Sequence, residues 1–307
     1  MAYAIEKRLV VGVSSNALFN LEKEDQIFKE EGIKEYRKYQ FENKNVKLEK
    51  GSAFHFVERF LKINKVYSEQ QPVEVIILSK NSPETGVRIM NSIKEYGLGI
   101  TRGAFTSGDP PYKYISAYNV ALYLSTNKED VENAIKEGFP AGRFINTTTN
   151  VLNDTDELRV AFDFDGVVAS GEAEEYYQKN GLEKYLEFEA EHANEPLGPG
   201  PLKDFFTKLA LFQKLETRKQ DEDSSYKKII RTAIITARNA PAHLRAINTL
   251  KSWDVTVDDL FLLGGIEKRR ILEIWKPHLF MDDQINHLDP ELTEIPLVHV
   301  PFHTQVS

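Results

Sequence analysis

Short apolar runs punctuate the second half of the chain, and each ends on an acid, a hydroxyl or a glycine. Val160-Ala161-Phe162 leads into Asp163, Ile234-Ile235 into Thr236, Phe261-Leu262-Leu263 into Gly264, and Leu279-Phe280-Met281 into Asp282. Uninterrupted apolar runs of strand length, bounded by turn formers, predict strands covered on both faces. Between them the period changes: Leu202, Phe205, Phe206, Leu209 and Phe212 recur at helical spacing, and a second helix is expected from about Ala240 to Trp253. Strands alternating with helices predict an α/β fold with a parallel sheet and a site at the C-terminal ends of its strands. After the strand at 159–164, polar helical sequence runs from Glu172 to about Ala193. It stops at the breaker run Asn194-Glu195-Pro196-Leu197-Gly198-Pro199-Gly200-Pro201. The stretch Thr217 to Lys228, rich in charge and Ser, reads as an exposed loop.

The first half repeats this pattern in worn form. At an offset of 149 positions, Val11 aligns with Val160, Gly32 with Gly181, Tyr36 with Tyr185, Asn45 with Asn194, Gly51 with Gly200 and Phe56 with Phe205. At an offset of 157, Ile77 aligns with Ile234, Arg88 with Arg245, Asn91 with Asn248, Lys94 with Lys251 and Gly108 with Gly265. The change of offset falls in the polar stretch Thr217 to Lys228, where an insertion is cheap. Two long ungapped registers predict an internal duplication. The expected organisation is an N-terminal unit over 1–145, a linker over 146–157 rich in Thr, Asn and Asp, and a second unit over 158–307. Each unit carries a small helical cap insertion, at about 170–199 in the second and about Glu22 to Leu48 in the first.

The candidate chemistry lies at the strand ends of the second unit. Asp163-Phe164-Asp165-Gly166 presents two carboxylates at i and i+2 in one turn, which implies a divalent cation or a shared proton, unless it is an ordinary polar turn. Thr236 ends the next strand beside a helix start, where backbone N–H groups favour an anion. Lys268 opens a helix against its dipole, a placement that makes sense if it faces a bound phosphate. Asp282 and Asp283 close the series. Singly, each has a bland reading as a cap, a solvated face or a turn. Four in order, each at a strand end, do not.

Together these segments resemble the haloacid dehalogenase-like (HAD) hydrolase superfamily over about residues 158 to 290. A closer likeness, spanning nearly the whole chain, is to the cytosolic 5′-nucleotidase type I family. It rests on Val13 to Phe19, Gly86 to Ile93, Gly200 to Lys203, Thr236 to Arg238 and Phe280 to Gln284. The loop Gly166 to Ser170 is closer to generic HAD phosphatases than to that family's usual first motif. The resemblance implies two HAD-like (Rossmannoid) parallel-sheet units and a phosphoric monoester hydrolase that releases phosphate from a nucleoside 5′-monophosphate. It implies Asp163 as the nucleophile, forming an aspartyl-phosphate, and Asp165 as the acid and then base. Thr236 and Lys268 would bind phosphate, and Mg²⁺ would be held by Asp163, Asp165, Asp282 and Asp283.

Two alternatives stay open: a HAD phosphatase for another small monoester such as a sugar phosphate, and a nucleotide-binding regulatory protein. At the offsets above, Asp163 falls on Ser14, Asp165 on Asn16, Thr236 on Ser79, Lys268 on Pro111, Asp282 on Ser125 and Asp283 on Thr126. The first unit is therefore expected to be HAD-like in fold and inert as a phosphatase.

Composition fits an intracellular enzyme. The 307 residues include no Cys, which removes thiol nucleophiles, disulfides and Cys-based zinc sites. A net charge of -8 argues against a nucleic acid polymer as partner. No apolar run approaches membrane-spanning length, and Glu6, Lys7 and Arg8 precede only a short apolar stretch, so no membrane and a cytoplasmic location are expected. A homo-oligomer is compatible with this sequence.

Overall fold

The computed structural model describes residues 5–146, 156–289, 291–292 and 294–301. The chain divides into two compact units, residues 1–151 and 152–307. The expected linker lies, for residues 147–155, outside the described residues.

In the N-terminal unit, β1 (Leu9–Val13) is followed by α1 (Glu22–Glu42), α2 (Phe54–Val66), β2 (Val73–Ser79), α3 (Pro83–Glu95), β3 (Gly103–Phe105), β4 (Val120–Ser125), α4 (Lys128–Lys136) and β5 (Ala141–Phe144). The strands pair in the order β3-β2-β1-β4-β5, all parallel. Every residue of β1, β2 and β4 is buried, as expected of strands covered on both faces.

The C-terminal unit runs β6 (Leu158–Phe162), α5 (Glu172–Asn180), α6 (Leu182–Glu191), α7 (Lys203–Glu222), β7 (Ile230–Thr236), α8 (His243–Ser252), β8 (Asp259–Leu262), α9 (Lys268–Trp275), β9 (Leu279–Asp282) and β10 (Leu297–His299). Its order is β8-β7-β6-β9-β10, again all parallel. The two units thus share one strand order, the third, second, first, fourth and fifth strands of each. In this order the chain switches sides between β6 and β9, so the crevice for a ligand opens beyond the C-terminal ends of these two strands.

The likeness extends to single hydrogen bonds. Offset by 149, β1 coincides with β6, and offset by 157, β2 coincides with β7. Arg88 Nε donates to the Val46 carbonyl at 2.9 Å, and Arg245 Nε to the Glu195 carbonyl at 2.9 Å. Asn91 Nδ2 reaches the Lys44 carbonyl and Asn248 Nδ2 the Ala193 carbonyl, both at 2.9 Å. The Leu48 N–H donates to Ser92 Oγ, and the Leu197 N–H to Thr249 Oγ1. Each set ties the end of the cap segment to the helix that follows the second strand. Even the break in the cap recurs, with Gly32 at φ 85° and Gly181 at φ 79°, where a glycine turns the helix without steric cost.

Behind β6, α7 buries Phe205, Phe206, Leu209 and Phe212 against the sheet, with the Phe206 ring 5.0 Å from that of Phe162. Each such side chain contributes roughly 1.5–3 kcal/mol. Here the sequence expectation needs correction: α7 continues through Glu222, so the stretch from Thr217 is helical before the chain loops back to β7. Lys, Gln, Arg and Glu are good helix formers, and a polar run extends a helix once packing has nucleated it.

Candidate active site

β6 delivers Asp163 to the switch point. Its N–H donates to the Met281 carbonyl at 2.8 Å, locking the turn onto β9, and its Oδ1 accepts from the Phe164 N–H at 2.7 Å. The other oxygen, Oδ2, lies 2.9 Å from Lys268 Nζ, which also donates to Asp282 Oδ2 at 2.6 Å. All three side chains are buried. Gly166 sits at φ 75°, and a Cβ there would overlap the Asp283 carboxylate, so the glycine lets the Asp163 turn close onto Asp283.

Charge is unbalanced in this group. Three carboxylates, Asp163, Asp282 and Asp283, face one ammonium. Burial pushes the Asp163 carboxyl up to about 7 against the pull of Lys268, and pushes Asp283 up to about 8 with the Asp163 and Asp282 charges adding to it. Burial also opposes the charge on Asp282, yet Lys268 and His287 hold that carboxyl below its ordinary range. Oxygen and nitrogen atoms of Asp163, Asp282 and His287 lie within 4.8 Å of one another. Asp283 is outside that tight group, but its Oδ1 is buried without a hydrogen-bond partner. An oxygen-rich set short of positive charge, with an orphaned carboxylate oxygen, fits a hard divalent cation.

Asp165 lies on the other side of the turn. Arg238 grips its carboxylate with both ends of the guanidinium at 2.7 Å, and the same guanidinium bonds Glu189 on cap helix α6. Glu189, fully buried, also accepts from Arg245 at 2.9 Å. Arg238 therefore joins the turn after β6 to the cap. A cavity of about 210 Å³ opens between them, lined on the core side by Asp165, Arg238 and Gly265 and on the cap side by Tyr177, Leu182 and Tyr185. Thr236 ends β7, and its hydroxyl accepts the Arg238 N–H at 3.2 Å, shaping the adjoining turn.

Of the residues expected from sequence, Asp163, Lys268 and Asp282 are brought into direct contact, with Asp283 beside them. The Asp165 carboxylate is turned to Arg238 and the cavity instead of the Asp163–Asp282 group. Sequence reasoning missed His287, Arg238 and Glu189. Arg238 stood two residues after Thr236 in a quoted segment, whereas Glu189 and His287 carried no local signal.

A buried carboxylate, a buried lysine and an acidic pair thus meet at the strand ends of a parallel α/β sheet. Residues 1–307 match the family model described as 5′-nucleotidase. The chain belongs to the 5′-nucleotidase family. This family member is 34% identical to human cytosolic 5′-nucleotidase 1B over 287 residues, which is 92% of the chain and 47% of the human protein. It thus spans about half the length of that curated relative. No solved structure matches the chain. No helix among the described residues is long and apolar enough to cross a membrane.

Proposed function

We propose that this 5′-nucleotidase family member hydrolyses a nucleoside 5′-monophosphate to nucleoside and phosphate, with Asp163 as nucleophile. The observation that carries the reading is Asp163 held against Lys268 and Asp282 in the same turn as Asp165, which lines a cavity whose cap side carries Tyr177 and Tyr185. Asp163 Oδ would attack phosphorus as the ester P–O bond breaks, and the departing alkoxide would take a proton from Asp165. Water then attacks the aspartyl-phosphate, gives a proton to Asp165, and frees phosphate and the Asp163 carboxylate. Lys268 neutralises charge on the phosphoryl oxygens, and Thr236 lies at the adjoining strand end as a hydroxyl donor. Mg²⁺, held by Asp163, Asp282 and Asp283, would supply the remaining positive charge that a dianionic monoester requires. Arg238 must release Asp165 before that carboxyl can carry the proton, so substrate entry and movement of the Arg238 bridge belong to one event. Tyr177 and Leu182, exposed on the cap, offer an apolar surface for a base, and closure over substrate would exclude water.

We also propose that the two units descend from one duplicated HAD unit, that the first has no phosphatase chemistry, and that the protein acts in the cytosol like its human relative's name. The decisive experiment is phosphate release across nucleoside monophosphates and sugar phosphates, with Mg²⁺ and with chelator. Release from nucleotides that chelation abolishes supports the reading. Preference for a sugar phosphate would replace the substrate class, and binding without turnover would make the protein a nucleotide-binding regulator.

A further inference from the structure

The N-terminal unit contains a cavity of its own, about 330 Å³, and it occupies the place of the catalytic one. All ten residues lining the catalytic cavity have a counterpart, at the offsets of 149 and 157, lining this one. On the cap side Phe28 stands for Tyr177, Ile33 for Leu182 and Tyr36 for Tyr185. On the core side Asn16 stands for Asp165, Asn81 for Arg238 and Gly108 for Gly265. We infer that this cavity is a second nucleotide site, which holds a nucleoside 5′-monophosphate without metal and without hydrolysing it. The inference rests on the nucleotide reading of the catalytic cavity.

Shape is kept while charge is reversed. The charged residues lining the catalytic cavity are Asp165, Glu174 and Arg238, net -1; those lining the N-terminal one are Asp25, Arg37 and Lys80, net +1. At the strand ends below, the four carboxylates at 163, 165, 282 and 283 are replaced by Ser14, Asn16, Ser125 and Thr126. The catalytic site needs a cation before it can accept a dianion. Its counterpart offers hydroxyl and amide donors beside Arg37 and Lys80, the latter also paired with the buried Asp130 at 2.8 Å, and carries no carboxylate at the nucleophile position, so an anion can sit there without metal and unattacked.

The donors are already arranged. Ser15 Oγ and Ser79 Oγ are 2.9 Å apart, and Asn81 Nδ2 donates to Ser15 Oγ at 3.0 Å. Asn81 Oδ1 accepts from Tyr36 OH at 2.6 Å, which bridges core to cap where Tyr185 and Arg238 stand in the other unit. Above them, Phe28 is 49% and Ile33 56% exposed, with the Phe28 ring edge-on to Tyr36 at 5.7 Å. Large apolar side chains left open at the rim of a polar cavity provide a stacking face for a base. A copy that had lost its ligand would be under no constraint to keep this combination, and collapse of the cavity would have been stabilising.

The test is equilibrium dialysis of the full chain in EDTA with the 5′-monophosphates of adenosine, guanosine, cytidine and uridine, and with the nucleosides and inorganic phosphate. At least one monophosphate is expected to bind saturably at one per chain. Asp163→Asn should leave that binding unchanged, whereas Phe28→Ala, at an exposed position that does not endanger folding, and Lys80→Glu should each weaken it about tenfold or more. No saturable binding in EDTA, or binding lost in Asp163→Asn and kept in Phe28→Ala, would overturn the inference. Equal affinity for the nucleosides would refute its phosphate part. Mg²⁺-dependent phosphate release by the same preparation reports on the catalytic cavity alone: release without binding in EDTA overturns only the second site, and binding in EDTA without release overturns only the catalytic reading.

Discussion

Lys268→Met isolates the electrostatics of the candidate site, because it keeps most of the side-chain volume and deletes the single ammonium between two buried carboxylates. Nζ lies 2.9 Å from Asp163 and 2.6 Å from Asp282, and all three side chains are 5% exposed or less. Removing one partner of a buried pair costs about 3–5 kcal/mol, since the remaining charge keeps its desolvation penalty. For a unit of this size that is a fall in melting temperature of roughly 6–20 °C. The loss has a pH signature. Without Lys268 the Asp163 carboxyl is pushed further up and Asp282 loses the main pull that holds it down, so the folded chain binds more protons than the unfolded one, and stability falls as pH rises through the neutral range. Thermal melts of the full chain in EDTA at pH 6 and pH 8 should show the larger deficit at pH 8. Mg²⁺ should recover part of it by supplying the missing charge. Phosphate release should drop about 10²–10³-fold, as for loss of one charge-stabilising donor. A variant that melts within about a degree of wild type at both pH values would refute the picture of Lys268 as the counter-charge of this group.

Asp163→Asn should abolish phosphate release while leaving the melting temperature at or above that of wild type, and turnover by the folded variant would sink the covalent route. Asp165→Asn should be severely impaired because an amide cannot give and retake a proton; a rate within a few-fold of wild type would remove Asp165 from the acid role. Gly166→Ala places a Cβ against Asp283 at a left-handed backbone position, so it should cost about 1–2 kcal/mol and raise the Mg²⁺ requirement about 10–100-fold, read from a Mg²⁺ titration of activity. The double variant Asp282→Ser, Asp283→Thr reproduces the residues at the matching positions of the first unit and should fold with normal stability but show no Mg²⁺-dependent release. Aggregation of that variant would mean that the acids are needed for folding.

The strands were legible because a parallel sheet covered on both faces leaves an uninterrupted apolar run in the sequence, and the site residues were legible where such a run stops. Asp163 and Asp282 follow from that logic, and Lys268 from its place at the start of the helix after the third such run. The bridge from Asp165 through Arg238 to Glu189 does not, because Glu189 lies 49 positions from Arg238 and reads locally as one more acid on a polar helix. Its burial exists only once the cap has folded against the core. His287 was invisible for the same reason, since its contact with Asp282 arises in a short turn after β9 with no periodicity of its own. The continuation of α7 past Thr217 shows the opposite failure: local polarity suggested a loop where helix propensity and a packed N-terminal half extended the helix.

The two units together separate what the fold requires at each strand end from what chemistry requires. After β9 the Gln284 N–H is accepted by Asp282 Oδ1 at 2.9 Å, and after β4 the Asn127 N–H is accepted by Ser125 Oγ at 3.1 Å. After β7 the acceptor is Thr236 and after β2 it is Ser79. The turn after β6 is pinned by the Asp163 N–H to the Met281 carbonyl, and the turn after β1 by the Ser14 N–H to the Leu124 carbonyl. A hydroxyl therefore closes the same turn as a carboxylate, so acceptor geometry alone does not call for buried acids at positions 163 and 282. Burying them is costly, as the raised Asp163 carboxyl records. A cost that an otherwise matching unit in the same chain avoids is not required by the fold, which is the pattern expected under the proposal that these acids bind a cation and attack phosphorus.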